Sequence, residues 1–464
     1  MRRFKKALSV SVAAAMAVSM MACGSTPSDT TTAAPQGGDK TTEAATTKSG
    51  GEAETTKSAA SGDKIKMRVS WWGSQTRTDR TMEVLNAYGE KNNIEFDYQF
   101  YQWDDYWTTM SGFTTNNALP DIMQQDYAYI GPYVDKGLLV DMNQYKDVME
   151  LDKVDESILS SGNIYGKGLY GMSLGTNVLC VIYNKTVYEQ AGVDMPTNDW
   201  TWDEWVSSVK TIYEKTGVHS DIPFISDPKW LIEYISRSFG ETLYNEDGTG
   251  FGFTDKTIDA YKKCLADIKE MVDSGALVDP AVQVTWKANE DGDIVKGKSA
   301  SAWTYSNFYV DYQGILEKNA PDNELDLVLM PKIDGATEKG NYLKPSQFFS
   351  ITKDSKYPEE AAKVISYFVT DVDANKILLA ERGVPVSQSV RDALKSSVDP
   401  KQAYTFDFIS SVGEYCRAID NPEPKVAAEV INAFKDGYHS VLYGETTPDE
   451  AWETFENDAA LIFG

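Results

Sequence analysis

Trp71-Trp72 and Trp103 stand just after short segments in which apolar and polar residues alternate, and Gln125-Asp126-Tyr127 ends a third short segment. They pair flat aromatic faces with amide and carboxylate groups, a combination suited to binding by ring contact and hydrogen bonds. Residues for nucleophilic or zinc chemistry are scarce. His219 and His439 are the whole histidine supply, and both are read as structural, His219 in a turn and His439 in a helix. A Ser-His-Asp triad would need one of them, and no HExxH is present. After Cys23 only Cys180, Cys264 and Cys416 remain, with no CxxC pair, so no disulfide framework is expected. The loop NEDGTGFG has hairpin turn residues but lacks the alternating acids of a calcium loop and the βα turn of a dinucleotide site. No cofactor and no metal are therefore expected.

Cys23 carries a different chemistry. Arg2, Arg3, Lys5 and Lys6 precede an uncharged run over residues 7–22, too short to span a bilayer and suited to a signal-peptide core. Met20-Met21-Ala22 then leads to Cys23 as in a lipobox, with Met20 where Leu is usual. Residues 24–64 contain no Val, Ile, Leu, Met or aromatic residue and have nothing to bury. Signal (1–22), lipidated Cys23 and a disordered tether (23–64) describe a bacterial lipoprotein held on the extracellular face of the cell membrane. As a flexible coil the tether reaches on the order of 35 Å.

Loss of residues 1–22 removes four positive charges and no negative ones, taking the formal net charge from −26 to −30. No basic footprint for nucleic acid is visible, and an acidic surface suits a soluble monomer outside the cell. No other long apolar run follows. About 400 residues remain, natural for two domains.

Those residues open with elements that can aim the aromatic groups. Residues 65–70 alternate as a strand, 78–90 have helical spacing, and 94–100 alternate again. Strand, helix, strand over this length predicts a parallel βαβ unit, with a third strand over 121–125. Ligands bind beyond the carboxyl ends of such strands, where the Trp and Gln-Asp-Tyr groups stand. Farther on, Thr201-Trp202-Asp203-Glu204 and Thr447-Pro448-Asp449-Glu450 read as capping boxes, and Pro358 starts a helix.

Several segments in fixed order resemble one family. They are LPDIMQQD, GLLVDMNQY, LYGMSLGTNVLCVIYNKTVYEQAGVDMPTNDWTWDEW, GKSASAWTYSNF, SKYPEEAAKVISYFVTD and ERGVPVSQS. Together they are similar to the extracellular solute-binding proteins (family 1, maltose-binding-like) of ABC sugar importers. Gly171-Met172-Ser173 departs from the usual Gly-x-Pro. The resemblance implies an α/β, two-lobed periplasmic-binding-protein-like fold with a hinge and a central ligand cleft. It places the N-terminal lobe at 65–177 and 325–370 and the C-terminal lobe at 178–324 and 371–464. It implies capture of an oligosaccharide and delivery to ABC permease membrane subunits, without enzymatic activity.

A pyranose has flat C–H faces for aromatic rings and an edge of hydroxyls for Asp, Asn, Gln and Arg. The chain has eleven Trp and twenty-six Tyr. On the first lobe the ligand-binding candidates are Trp71, Trp72, Gln125, Asp126, Tyr127 and Gln347. Arg77 could donate to a hydroxyl pair or form an ion pair. On the second lobe they are Asn177, Trp230, Trp303 and Tyr305. Trp303 matches the family's stacking Trp, and its loss is expected to cost about 2–3 kcal/mol of affinity with the fold intact. Trp103 and Trp286 rank below these, and Trp200, Trp202 and Trp205 are read as helix packing. The alternative is a surface-anchored glycoside hydrolase using a carboxylate pair, which seventy acidic residues could always supply. No motif singles out such a pair.

Overall fold

The computed structural model describes residues 64–338 and 340–464. The signal segment, Cys23 and all of the tether but Lys64 lie outside the described residues. In chain order the strands are β1 (Ile65–Trp72), β2 (Ile94–Tyr101), β3 (Ile122–Gln125), β4 (Met172–Ser173), β5 (Thr176–Asn184), β6 (Thr242–Tyr244), β7 (Phe251–Gly252), β8 (Ser301–Tyr305), β9 (Leu325–Leu329), β10 (Leu343–Pro345) and β11 (Phe348–Ile351). Helices connect and cover them.

The first lobe is built on a sheet of order β2-β1-β3-β11-β4. Alternation in β1 drives Met67, Val69 and Trp71 into the core, each fully buried. Helix Gln75–Asn92 follows. It starts at Ser74, whose hydroxyl accepts from the Arg77 N–H at 3.2 Å, and ends at Asn93 in the left-handed region. β2 then pairs parallel with β1 from Ile65↔Ile94 onward, as the βαβ pattern predicts. β3 lies parallel to β1 on its other side, and β11 runs antiparallel to β3.

The second sheet is organised by β5. β8 lies on one side of it, and β10 followed by β9 on the other, all antiparallel. Val178, Cys180 and Ile182 enter one core, while Leu179, Val181 and Tyr183 enter the other. Burial on both faces explains the nearly continuous apolar run LCVIY. Cys180 is a buried thiol whose pKa burial pushes well up. Around the second core stand Trp200, Trp202 and Trp205, with Thr201 and Glu204 forming the expected capping box. A second such box opens helix Pro448–Phe463. β6 and β7 form the hairpin read from NEDGTGFG.

The expected lobe boundaries shift. β9 and β10 hydrogen-bond to β5, so the return to the first lobe falls at Ser346-Gln347 rather than at 325. Helix Val372–Leu378 packs on the first lobe, where Arg80 Nη1 donates to the Leu378 carbonyl at 2.7 Å. Residue 371 is thus no boundary. Interleaved crossings of this kind leave no linker-like composition to read.

Candidate ligand-binding cleft between the lobes

Three segments pass between the lobes side by side. Gly175 joins β4 to β5, Ser346-Gln347 joins β10 to β11, and residues 380–384 form the third. Leu174 N–H donates to the Gln347 carbonyl (2.8 Å), Ser346 N–H to the Gly175 carbonyl (2.9 Å), and Thr176 N–H to the Val384 carbonyl (2.8 Å). Gly175 is required by the close approach, since a Cβ there would lie 2.2 Å from the Arg382 carbonyl oxygen. These crossings, hydrogen-bonded to one another, form the hinge between the lobes.

Directly beside the hinge, the register of the second sheet gathers a set of side chains. Lys344 is opposite Asn177, and Tyr305 is opposite Leu179, so Asn177, Lys344 and Tyr305 share a face. The Tyr305 and Tyr342 hydroxyls are 3.1 Å apart. The Trp230 ring meets Tyr305 edge-on at 5.1 Å, and the Lys344 ammonium lies 5.3 Å from the Tyr305 ring centroid. The Arg237 guanidinium lies 4.6 Å over the Tyr342 ring and is ion-paired to Asp420 at 3.1 Å.

The first lobe contributes the opposite wall. Asp126 caps helix Tyr127–Asp135, accepting from the Ala128 N–H at 2.9 Å. Tyr127 follows, and its hydroxyl donates to the backbone carbonyl of Asp420 across the lobe junction. Its ring packs against Phe348, the register partner of Gln125. Trp72 sits in an aromatic cluster with Trp103, Tyr106 and Trp107, at 5.0, 5.0 and 5.5 Å. Tyr129 stacks on Trp107 at 4.2 Å, and the cluster presents Trp103 (38% exposed) and Tyr129 (40%) at its surface.

Two openings flank these walls. The larger, about 790 Å³, is lined by Asp135, Tyr165 and Lys167 from the first lobe and by Glu233, Tyr244, Asp420 and Glu423 from the second. Burial drives the Glu233 carboxyl up to about 7, against the pull of Arg237 and Lys229. The smaller, about 310 Å³, touches Asn177, Ser346, Gln347 and Arg382 at the hinge. Among the described residues, Asn177 Oδ1, Ser346 Oγ, Gln347 Oε1 and Gln125 Oε1 are buried without a hydrogen-bond partner. Unpaired buried acceptors are costly and are expected where a ligand completes the bonding.

The predicted residues thus divide. Asp126, Tyr127, Asn177, Trp230, Tyr305 and Gln347 gather at the junction, with Gln125 buried just behind. Trp71 does not join them. It is fully buried, stacks on Phe100 and donates to the Thr78 hydroxyl at 3.3 Å. Trp72 reaches the site only as backing for Trp103. Arg77 takes the ion-pair alternative, gripping Glu381 at 3.0 Å and tying the first helix to the third crossing. Trp303 is a correction: it is 7% exposed and packs on Trp205, Phe224 and Trp202 at 5.0, 5.5 and 6.0 Å. It belongs to the second-lobe core: it shares a face of β8 with Tyr305, but its ring is packed into the Trp200–Trp205 helix cluster, whereas Tyr305 meets Trp230. Lys344, Tyr342 and Arg237 were not foreseen. The signal available was the tripeptide strand before PSQFF, too short to announce its faces.

Both histidines have hydrogen-bond partners. His219 Nε2 is 3.0 Å from Asp293, and His439 Nε2 is 2.8 Å from the Ile225 carbonyl oxygen. No group of three or more metal-ligating side chains occurs among the described residues. No helix among them is long and apolar enough to cross a membrane.

Two α/β lobes, a crossing-strand hinge and a cleft of aromatic and hydrogen-bonding groups define a solute-binding protein fold. The chain belongs to the bacterial extracellular solute-binding protein family, whose model matches residues 72–374. A family 1 extracellular solute-binding protein from Alicyclobacillus acidocaldarius is similar in structure, with a TM-score of 0.76 and 28% identity, over 87% of this chain and all of that one. A periplasmic oligogalacturonide-binding protein from Yersinia enterocolitica has a TM-score of 0.73 at 21% identity, over 86% of this chain and 99% of the other. In sequence, an arabinooligosaccharide-binding protein of Halalkalibacterium halodurans is 22% identical over 236 residues, 48% of this chain and 49% of that one.

Proposed function

We propose that this protein captures an oligosaccharide between its lobes and presents it to the membrane subunits of an ABC importer. The observation that carries the reading is the convergence at the hinge. Trp230, Tyr305 and Tyr342 form one group beside it, Tyr127 lies near Tyr342 and Asp126 near Lys344, and the Asn177 and Gln347 amide oxygens at the crossings have no partner among the described residues. Aromatic faces cover sugar rings, and the amides complete hydroxyl bonds that water cannot reach. Trp103 and Tyr129 extend the aromatic surface along the first lobe, which suits a ligand of more than one unit. Relatives named for arabino- and galacturono-oligosaccharides support the class.

The protein acts as a monomeric receptor, not a hydrolase. Lipid on Cys23 holds it at the extracellular face of the membrane, and the tether lets the lobes reach the permease. Calorimetric titration with di- to pentasaccharides, followed by assay of the recovered sugar, tests this. Micromolar or tighter binding with intact sugar is expected. Shortened sugar would make the protein a glycosidase, and no heat from any sugar would remove the oligosaccharide reading.

A further inference from the structure

Most charged side chains at the lobe junction are ion-paired. Lys229 pairs with Glu423, Arg237 and Arg417 with Asp420, and Arg77 with Glu381. Arg382, buried at the hinge, donates to the neutral Gln124 and Thr81 side chains. Lys344 has neither a hydrogen-bond acceptor nor a carboxylate partner among the described residues. Its recorded contact is the face of Tyr305. Asp126 is the nearby carboxylate whose charge favours the ammonium, Lys229 opposes it, and burial is the largest influence, lowering the Lys344 pKa. Asp126 caps its helix and forms no ion pair with Lys344 within 4 Å.

A half-buried ammonium without an ion-pair partner is stabilised by whatever brings a negative group to it. Position makes that group part of a ligand. Lys344 is the register partner of Asn177, whose amide lines the hinge cavity, and it lies over the ring that also meets Trp230. We infer that the oligosaccharide bound here carries a carboxylate, as a uronic acid unit does, and that Lys344 is the residue that selects it. This rests on the oligosaccharide reading above. A neutral sugar can offer the ammonium hydroxyl acceptors but no countercharge, so the site discriminates by contact. The acidic exterior gives an anion no help in arriving, which places the selectivity in the bound complex.

The test is calorimetric titration of the full chain with matched pairs. These are α-1,4-linked digalacturonate and trigalacturonate against α-1,4-linked galactobiose and galactotriose, and β-1,4-linked diglucuronate against cellobiose. In at least one pair the uronate should bind about tenfold or more tightly than its neutral partner. Lys344→Met should abolish that preference, and Lys344→Arg should keep most of it. Equal or weaker binding of every uronate, or a preference that survives in Lys344→Met, overturns the inference. If a neutral sugar binds and no uronate does, the receptor reading stands and this inference falls. If no sugar of either kind produces heat, both fall.

Discussion

The Tyr127 hydroxyl, on the first lobe, donates to the backbone carbonyl of Asp420, on the second. Asp420 is itself fixed by Arg237 at 3.1 Å and Arg417 at 3.3 Å. One phenol therefore joins the two lobes. Tyr127→Phe removes that bond and keeps the ring against Phe348. The ligand-free protein should open, seen as a larger radius of gyration in solution scattering, with a loss of roughly 1 kcal/mol in closure. An unchanged scattering profile would show that the bond does not hold the lobes.

The hinge depends on one residue having no side chain. A Cβ on Gly175 would lie 2.2 Å from the Arg382 carbonyl oxygen and 3.0 Å from the Gly383 Cα. Both are backbone atoms that cannot swing aside. Gly175→Ala should force the first and third crossings apart, weaken ligand binding and lower the melting temperature. A variant with wild-type melting and affinity would mean that the crossings slide freely.

Trp303 and Trp230 should separate stability from binding. Trp303→Ala empties a packed site among Trp202, Trp205 and Phe224 and should cost about 3–5 kcal/mol of stability in denaturant titration. Trp230→Ala, at a partly buried position beside Tyr305, should weaken ligand binding by about 2 kcal/mol with a smaller loss of stability. The reverse assignment of effects would return Trp303 to the cleft.

Stability should also fall with rising pH because of Asp221. Burial pushes its carboxyl up to about 7, and its Oδ1 has no hydrogen-bond partner among the described residues. The folded chain thus keeps a proton that the unfolded chain gives up in the ordinary carboxylate range. Between that range and about pH 7 the folded state binds more protons, so stability declines with pH across the window. Asp221→Asn should flatten the decline. Parallel pH profiles for wild type and variant would show that Asp221 is not the source.

The legible parts of the chain were those set by local rules. β1, the first helix and β2 followed from alternation and helical spacing, and Thr201 and Thr447 announced their helix starts through Glu204 and Glu450. The position of Asp126 and Tyr127 was readable because they directly follow a strand of an open α/β sheet, at its carboxyl end. What was not readable depends on register and on segments distant in sequence. Trp303 and Tyr305 lie on the same side of β8, and only the packing decides that one meets Trp205 while the other meets Trp230. Lys344 becomes a cleft residue through its pairing with Asn177, 167 positions earlier in the chain. Arg77 leaves both readings, ligand donor and ion pair, open until Glu381 arrives from the far end of the fold.

A crystal structure of the protein with its tightest-binding oligosaccharide tests the central claim most directly. Sugar density is predicted between Trp230, Tyr305 and Tyr342 on one lobe and Asp126, Tyr127 and Gln347 on the other, with the amides of Asn177 and Gln347 bonded to it. Sugar bound outside the lobe junction, or inside it without contact to these residues, would contradict the account.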